Sequence, residues 1–518
     1  MPSPSPRAPP PSTSSSTPSQ APLQPTYILR LHAHPVSVLH FPSGSSGSAG
    51  ARWLLSGDTS GLVILWDLKT FRPRASWQAH EGGVLGIEEW GEDGEGVLTQ
   101  GRDNLIRFWS FSPPSSSSCS TSKDKYPDPP SPTLSSFSTP STAPPSTFNA
   151  APAPRLVWEM PINALNFCRI GVLRLPPMAE REGKGKEKAQ EEEDDTGEER
   201  EGGEEGLVAV VSLTKDDFVD VFHLPSQARI HRSIGAGAWA VGEKTGSVMA
   251  LKLFSLPSSP SAVSVSPSSA AEAKTHLHLL AAYESGAVSL FRFSPTRNFE
   301  GGPGRVGEGE RARPVSGKMV EEGEGWEVVW TEKGHRDAVM SLALSPDKRF
   351  AYSVAADHFL CKYRVFDLNA EEAALPRMLV ETTTSPGKSG IAVRGGDGKL
   401  VATAGWDGEI RLHAAKTLEP LAALTLHRQS LQAVAFAAVP SPSSPSSTSS
   451  SASSSAERPL FPSLTEGDTP SSDSDSDDDQ AAGLGGKAGT ARARAWLAAG
   501  GQEGKISLWE VYPPAMGR

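Results

Sequence analysis

Apolar and polar residues alternate along this chain in short runs, each closed by a Gly/Asp turn, and the runs recur as a set. The first set reads His34-Pro35-Val36-Ser37-Val38-Leu39-His40-Phe41, then Trp53-Leu54-Leu55-Ser56-Gly57-Asp58, then Gly61-Leu62-Val63-Ile64-Leu65-Trp66-Asp67. Period-two alternation predicts half-buried strands, and the intervening Gly and Asp predict tight turns. A second set follows as His80-Glu81-Gly82-Gly83-Val84-Leu85-Gly86-Ile87, Val97-Leu98-Thr99-Gln100-Gly101-Arg102-Asp103-Asn104 and Leu105-Ile106-Arg107-Phe108-Trp109. A repeat of about 40–45 residues with a His before the first strand and a Trp on the third is the signature of a WD-repeat blade.

Seven such units are legible. They predict an all-β, seven-bladed WD-repeat propeller occupying 26–518, after a Ser/Pro-rich tail at 1–25. Blade 1 is placed at about 32–76, blade 2 at about 78–111, blade 3 at about 155–234 and blade 4 at about 235–295. Blade 5 is placed at about 326–382, blade 6 at about 386–424 and blade 7 at about 426–513. Blade 7 runs out before an outer strand, whereas Tyr27-Ile28-Leu29-Arg30-Leu31 is a strand without a blade. These two residues of the count predict that 27–31 closes the ring, since an open propeller would leave two unpaired edges.

In blade 2, His80, Thr99, Asp103 and Trp109 stand where a buried hydrogen-bonded network is expected. His335, Ser353, Asp357 and Tyr363 fall in the same register in blade 5, Thr403 and Asp407 in blade 6, and Trp66 and Trp509 in blades 1 and 7. Blade 3 offers Ser212, Asp216 and Phe222. In blade 4, Ser285 and Phe291 replace Asp and Trp, and in blade 6 His413 replaces the Trp. The grouping resembles a catalytic Ser/His/Asp set, but its recurrence once per blade marks it as part of the fold.

Composition changes the picture between the blades. The segments at 112–154, 178–206, 255–275, 296–325 and 437–492 are rich in Ser, Pro and Thr or in charge. Such sequence cannot bury enough apolar surface to order itself, so these segments are expected to be disordered insertions. Two acidic runs within them, Glu191–Glu205 and Asp473–Asp479, together carry −14, so the −11 of the whole chain leaves about +3 for the remainder. That balance gives no basis for direct nucleic-acid binding, which needs clustered cations.

Cys119, Cys168 and Cys361 form neither a disulfide framework nor a CxxC metal spacing. Neither a membrane-length apolar run nor a signal-peptide core is found, and a soluble protein without membrane contact is expected. Gly395-Gly396-Asp397-Gly398 lies between two strands, so it reads as a turn rather than a phosphate cradle, and no cofactor is expected.

Taken in order, Tyr27-Ile28-Leu29-Arg30-Leu31-His32-Ala33-His34, Ser56-Gly57-Asp58, Gly101-Arg102-Asp103, Ala282-Tyr283-Glu284-Ser285-Gly286 and Val401-Ala402-Thr403-Ala404-Gly405-Trp406-Asp407-Gly408 resemble the ASTRA-associated protein 1 family of fungi. The animal G-protein β-subunit-like protein is a related family. The resemblance implies a non-catalytic scaffold in the ASTRA assembly, tied to chromatin regulation and to the Tel–Tti co-chaperone of phosphatidylinositol-3-kinase-like kinases. It implies residence in the nucleus, with the cytoplasm as a second compartment, and supplies no catalytic residues.

Two other readings stand beside this one. A propeller hydrolase would need His and Asp beyond the repeat positions, for which His231, His276 and His278 are the candidates. A substrate receptor of a ubiquitin ligase is the other. In the run Ser471-Ser472-Asp473-Ser474-Asp475-Ser476-Asp477-Asp478-Asp479, serines stand before acids as acidophilic kinases favour; phosphorylation there would add charge for a basic partner.

Overall fold

The computed structural model describes residues 23–42, 46–47, 50–91, 96–111, 153–163, 168–175, 204–235, 245–257, 275–294, 325–385, 387–438 and 495–511. The expected disordered tail and insertions lie almost wholly outside them. Seven four-stranded antiparallel sheets follow one another as the blades of a propeller. In each, the first strand is innermost and the last forms the outer edge, and the first strands of all blades but the third line a central channel.

Blade 1 comprises Val36–His40, Trp53–Asp58, Leu62–Asp67 and Arg72–Gln78. Blade 2 comprises Val84–Trp90, Gly96–Gly101, Leu105–Ser110 and Arg155–Pro161. Blade 3 runs Gly171–Arg174, Gly206–Val211, Val219–Leu224 and Arg229–Ile234. Blade 4 runs Val248–Pro257, Thr275–Tyr283, Ala287–Phe293 and Trp326–Lys333. Blade 5 has Val339–Leu344, Phe350–Ala355, Phe359–Arg364 and Met378–Thr382, and blade 6 has Lys388–Val393, Leu400–Gly405, Glu409–Ala414 and Pro420–Thr425.

Blade 7 joins the two ends of the sequence. Its inner strands are Leu431–Phe436, Trp496–Gly501 and Lys505–Glu510, and its outer strand is Tyr27–Arg30, with Tyr27 opposite Leu508 and Arg30 opposite Lys505. The ring is closed by the N-terminal strand.

Two outer strands differ from the sequence-based boundaries. Residues 155–161 complete blade 2 rather than opening blade 3, and 326–333 complete blade 4 rather than opening blade 5. The cause is a stagger: the unit that repeats in sequence is the outer strand of one blade plus three inner strands of the next, so the boundaries of the repeats are not the boundaries of the sheets. The first strand of blade 3 begins at Gly171.

Buried side chains collect into seven clusters, each shared by two adjacent blades. Leu54, Ile64 and Trp66 of blade 1 meet Leu29, Trp496 and Leu508 of blade 7 in one. Leu400 and Leu412 of blade 6 meet Leu497 and Trp509 of blade 7 in another. Alternation thus gives every inner strand two apolar faces, one for each neighbour, and the stability of a blade depends on the blades beside it.

Candidate functional site

The blade networks come first, because they fix the turns that build one face of the ring. In blade 2, Trp109 Nε1 donates to Thr99 Oγ1 at 2.9 Å, Thr99 lies 2.8 Å from His80 Nε2, and His80 Nδ1 is 2.9 Å from Asp103 Oδ1. An indole can only donate and a carboxylate can only accept, so the chain runs in one direction through a neutral imidazole. Burial pulls the His80 pKa below its usual value although Asp103 opposes it, which keeps the ring neutral as the chain requires. Arg107 Nη1 also donates to Asp103 at 2.9 Å.

Blade 5 repeats the arrangement. His335 Nδ1 is 3.0 Å from Asp357, its Nε2 is 2.7 Å from Ser353 Oγ, and Ser353 lies 3.0 Å from the Tyr363 hydroxyl. Burial works against the Asp357 charge, but the amides of Arg336 and Phe359 together with His335 outweigh it and hold its pKa below the usual carboxylate value.

The remaining blades vary the same theme. In blade 1 the histidine is His32, not the exposed His34: its Nδ1 is 2.8 Å from Asp58, its Nε2 is 2.7 Å from Ser56, and Trp66 Nε1 donates to Ser56 at 2.8 Å. Asp58 sits two residues after the hydroxyl, whereas Asp103 sits four after, and this shortened spacing hid the set. In blade 7 the hydroxyl has crossed to the third strand: Ala499 pairs with Ser507, which meets His427 Nε2 and Trp509 Nε1 at 2.9 Å each. Glu503 takes the Asp role at 2.8 Å from His427.

Blade 3 corrects the sequence reading. Val208 pairs with Phe222 and Val210 with Asp220, so Val210 occupies the position of Thr99 and the turn is two residues longer. Ser212 donates instead to Asp220 at 3.1 Å, and Asp216 accepts from Ser247 at 2.7 Å outside any network. In blade 4, Phe291 is buried in the core, while the Ser285 amide donates to Thr245 O. Blade 6 keeps Asp407, clamped by Arg411 at 2.7 Å, and a buried Thr403; His413 donates through Nδ1 to Leu418 O at 3.0 Å rather than joining Thr403.

The histidines considered for catalysis are packed against aromatic rings. His231 lies 4.5 Å from the Phe293 ring and 5.4 Å from Trp326, and His278 stacks on Phe254 at 5.7 Å. Burial lowers both pKa values to about 4. His276 contributes its carbonyl to His278 Nδ1 at 3.0 Å. None of the three lines the central channel. Among the described residues no group of three or more His, Cys, Asp or Glu could hold a metal ion, and no helix is long and apolar enough to cross a membrane.

Topology then sorts the connections. Strands alternate direction, so the connections from first to second and from third to outer strand leave one face, and all others leave the opposite face. The long segments at 112–152, 176–203, 258–274, 295–324 and 439–494 all depart from the first of these, the insertion face. The N-terminal end of the closing strand and the end of Lys505–Glu510 open there too. The other face carries short turns: 59–61, 102–104, 356–358, 406–408 and 502–504 hold or follow a network carboxylate, and 284–286 carries Ser285 in its place.

At the centre of the short-turn face opens a channel of about 1150 Å³. Ser37, Glu88, Lys252, Met340, Ser389 and Gln432 project from the first strands into it, and Thr59, Arg102, Trp406 and Gln502 stand at its mouth. Arg169 reaches along the wall from blade 3 to donate to Ser37 O of blade 1 at 2.9 Å. The arrangement is a walled bore with a rigid polar rim, suited to receiving a side chain or segment of another molecule.

The WD domain, G-beta repeat pattern matches residues 71–110 and 326–363, each an outer strand plus the three inner strands of the next blade. These two repeats carry the complete networks of blades 2 and 5. Across its length the chain is 30% identical to ASTRA-associated protein 1 of Aspergillus niger over 95% of this chain and 98% of that one. It is 28% identical to the protein of the same name from Verticillium alfalfae, over 98% and 97%, and 26% identical to that of Schizosaccharomyces pombe, over 80% and 93%. The seven-bladed ring and this full-length similarity together place the chain in the ASTRA-associated protein 1 family.

Proposed function

We propose that this protein is a non-catalytic scaffold of the ASTRA assembly, holding protein partners that link chromatin regulation to the Tel–Tti co-chaperone of phosphatidylinositol-3-kinase-like kinases. The observation that carries the reading is the similarity to relatives named for ASTRA over nearly the whole chain, on a propeller whose Ser/His/Asp groupings are consumed by the blades. A hydroxyl that accepts from a buried indole and meets a buried imidazole has no open approach for a substrate. Residence in the nucleus, and in the cytoplasm as well, belongs to the same proposal.

Affinity purification of the tagged full-length protein tests it. Recovery of ASTRA and Tel–Tti subunits is expected, and recovery of cullin adaptors in their place would favour a ubiquitin-ligase receptor. Replacing His231, His276 and His278 should leave that recovery intact.

A further inference from the structure

We infer that the mouth of the central channel on the short-turn face, around Trp406, docks an acidic segment of a partner protein, a segment that lays an apolar side chain on the indole. This deepens the scaffold reading and rests on it. Of the eleven tryptophans in the described residues, Trp406 is the one that stands exposed, at 42%. An indole left in water on a rigid turn forgoes burial that a partner can supply, and aromatic anchors of this kind dominate interface energetics.

The side chain is seated rather than loose. The Trp406 amide donates to Gly387 O at 3.0 Å, and its carbonyl accepts from Ser430 Oγ at 2.9 Å. Its ring lies over Gly387, where a Cβ would come within 2.0 Å of it and where φ is +75°, a conformation that favours glycine. A glycine with left-handed backbone therefore makes the flat bed on which the ring rests, and a pre-positioned ring gives up little entropy on binding.

Charge selects the occupant. The channel and its mouth are lined by Arg102, Arg169 and Lys252 against a single carboxylate, Glu88, and the exposed Arg428 stands on the turn beside Ser430. The cavity is thus net positive in a chain whose overall charge is −11. Complementary potential calls for Asp and Glu flanking the apolar anchor. The protein's own acidic run at 473–479 belongs to a connection that leaves the opposite face.

The test uses the full-length protein with p-benzoylphenylalanine at position 406 or, on the insertion face, in place of exposed Lys399. Photocrosslinked peptides are identified from the native assembly, and partner recovery is quantified for W406A, R102E and the control K399E at equal melting temperature. Expected are adducts from position 406 with Asp/Glu-rich protein segments, and at least tenfold weaker recovery with W406A and R102E but not with K399E. Adducts confined to position 399, adducts with nucleic acid or with residues 473–479, or full recovery with W406A would overturn the inference while leaving the scaffold reading standing. Failure of the unsubstituted protein to recover any ASTRA or Tel–Tti subunit would overturn both.

Discussion

Replacing Thr99 with Val removes one oxygen and keeps the shape. That oxygen accepts from Trp109 Nε1 at 2.9 Å and meets His80 Nε2 at 2.8 Å, and both threonine and histidine are almost fully buried. The variant leaves an indole N–H and an imidazole nitrogen without partners. Each stranded group costs about 1–3 kcal/mol, offset in part because the valine has no hydroxyl to desolvate, so a net loss of about 2–4 kcal/mol is expected. For a domain of this size that corresponds to a melting temperature about 3–6 °C lower. Thr403→Val in blade 6 is the matched control. Thr403 holds the same register, but His413 stands where blade 2 has the Trp109 indole and is bonded elsewhere, so the loss should stay under about 1 kcal/mol. Thermal unfolding followed by circular dichroism measures both. Equal losses in the two blades would refute the claim that the network carries the energy.

Other expectations follow from the same geometry. Burial depresses the pKa values of His231 and His278, so at these two rings the folded state binds protons more weakly than the unfolded chain; stability should hold above about pH 6.5 and fall toward pH 4, where they titrate. Denaturant midpoints across that range check this, and a shallower slope is expected for the His231→Phe, His278→Phe double variant. Gly387→Ala should displace the Trp406 ring, read as a changed tryptophan emission with the fold retained. Tyr27 of the closing strand stacks on Phe71 of blade 1 at 4.3 Å, so a double-mutant cycle of Tyr27→Ala and Phe71→Ala should give a coupling of about 0.5–1.5 kcal/mol. Additive losses would show that the stacking does not latch the ring.

Much of the architecture could be read from alternation and turn residues, because each blade buries both faces of its inner strands and so keeps its pattern. The closing strand was legible for a simple reason: an apolar strand without a blade and a blade without an outer strand must meet. Blades 2 and 5, with hydroxyl, carboxylate and ring at fixed spacing, were legible in full. Where the spacing shifted, the reading failed. Asp58 comes two residues early and draws in His32 rather than His34; the longer turn of blade 3 slides Ser212 out of register; Ser507 supplies a hydroxyl from the wrong strand. In each case the hydrogen bonds demand only that donors and acceptors meet in space, which sequence spacing fixes only when the turn length is constant. The sorting of the long connections onto one face follows from strand order, and it became visible only once outer strands 155–161 and 326–333 were assigned to their sheets.

The closing strand also sets a clock on biosynthesis. Tyr27 pairs with Leu508, so this strand cannot find its partner until roughly 480 more residues have been made. At about 5–20 residues per second, that wait lasts from about half a minute to well over a minute. Through that interval Leu29, which ends almost fully buried, has no blade to enter, and blade 1 presents Ile64 and Trp66 to solvent along the seam that blade 7 will cover. Nascent chains of this protein are therefore obligate late closers, exposed to capture by holding chaperones, and slowing translation of the last hundred codons should raise the fraction that aggregates.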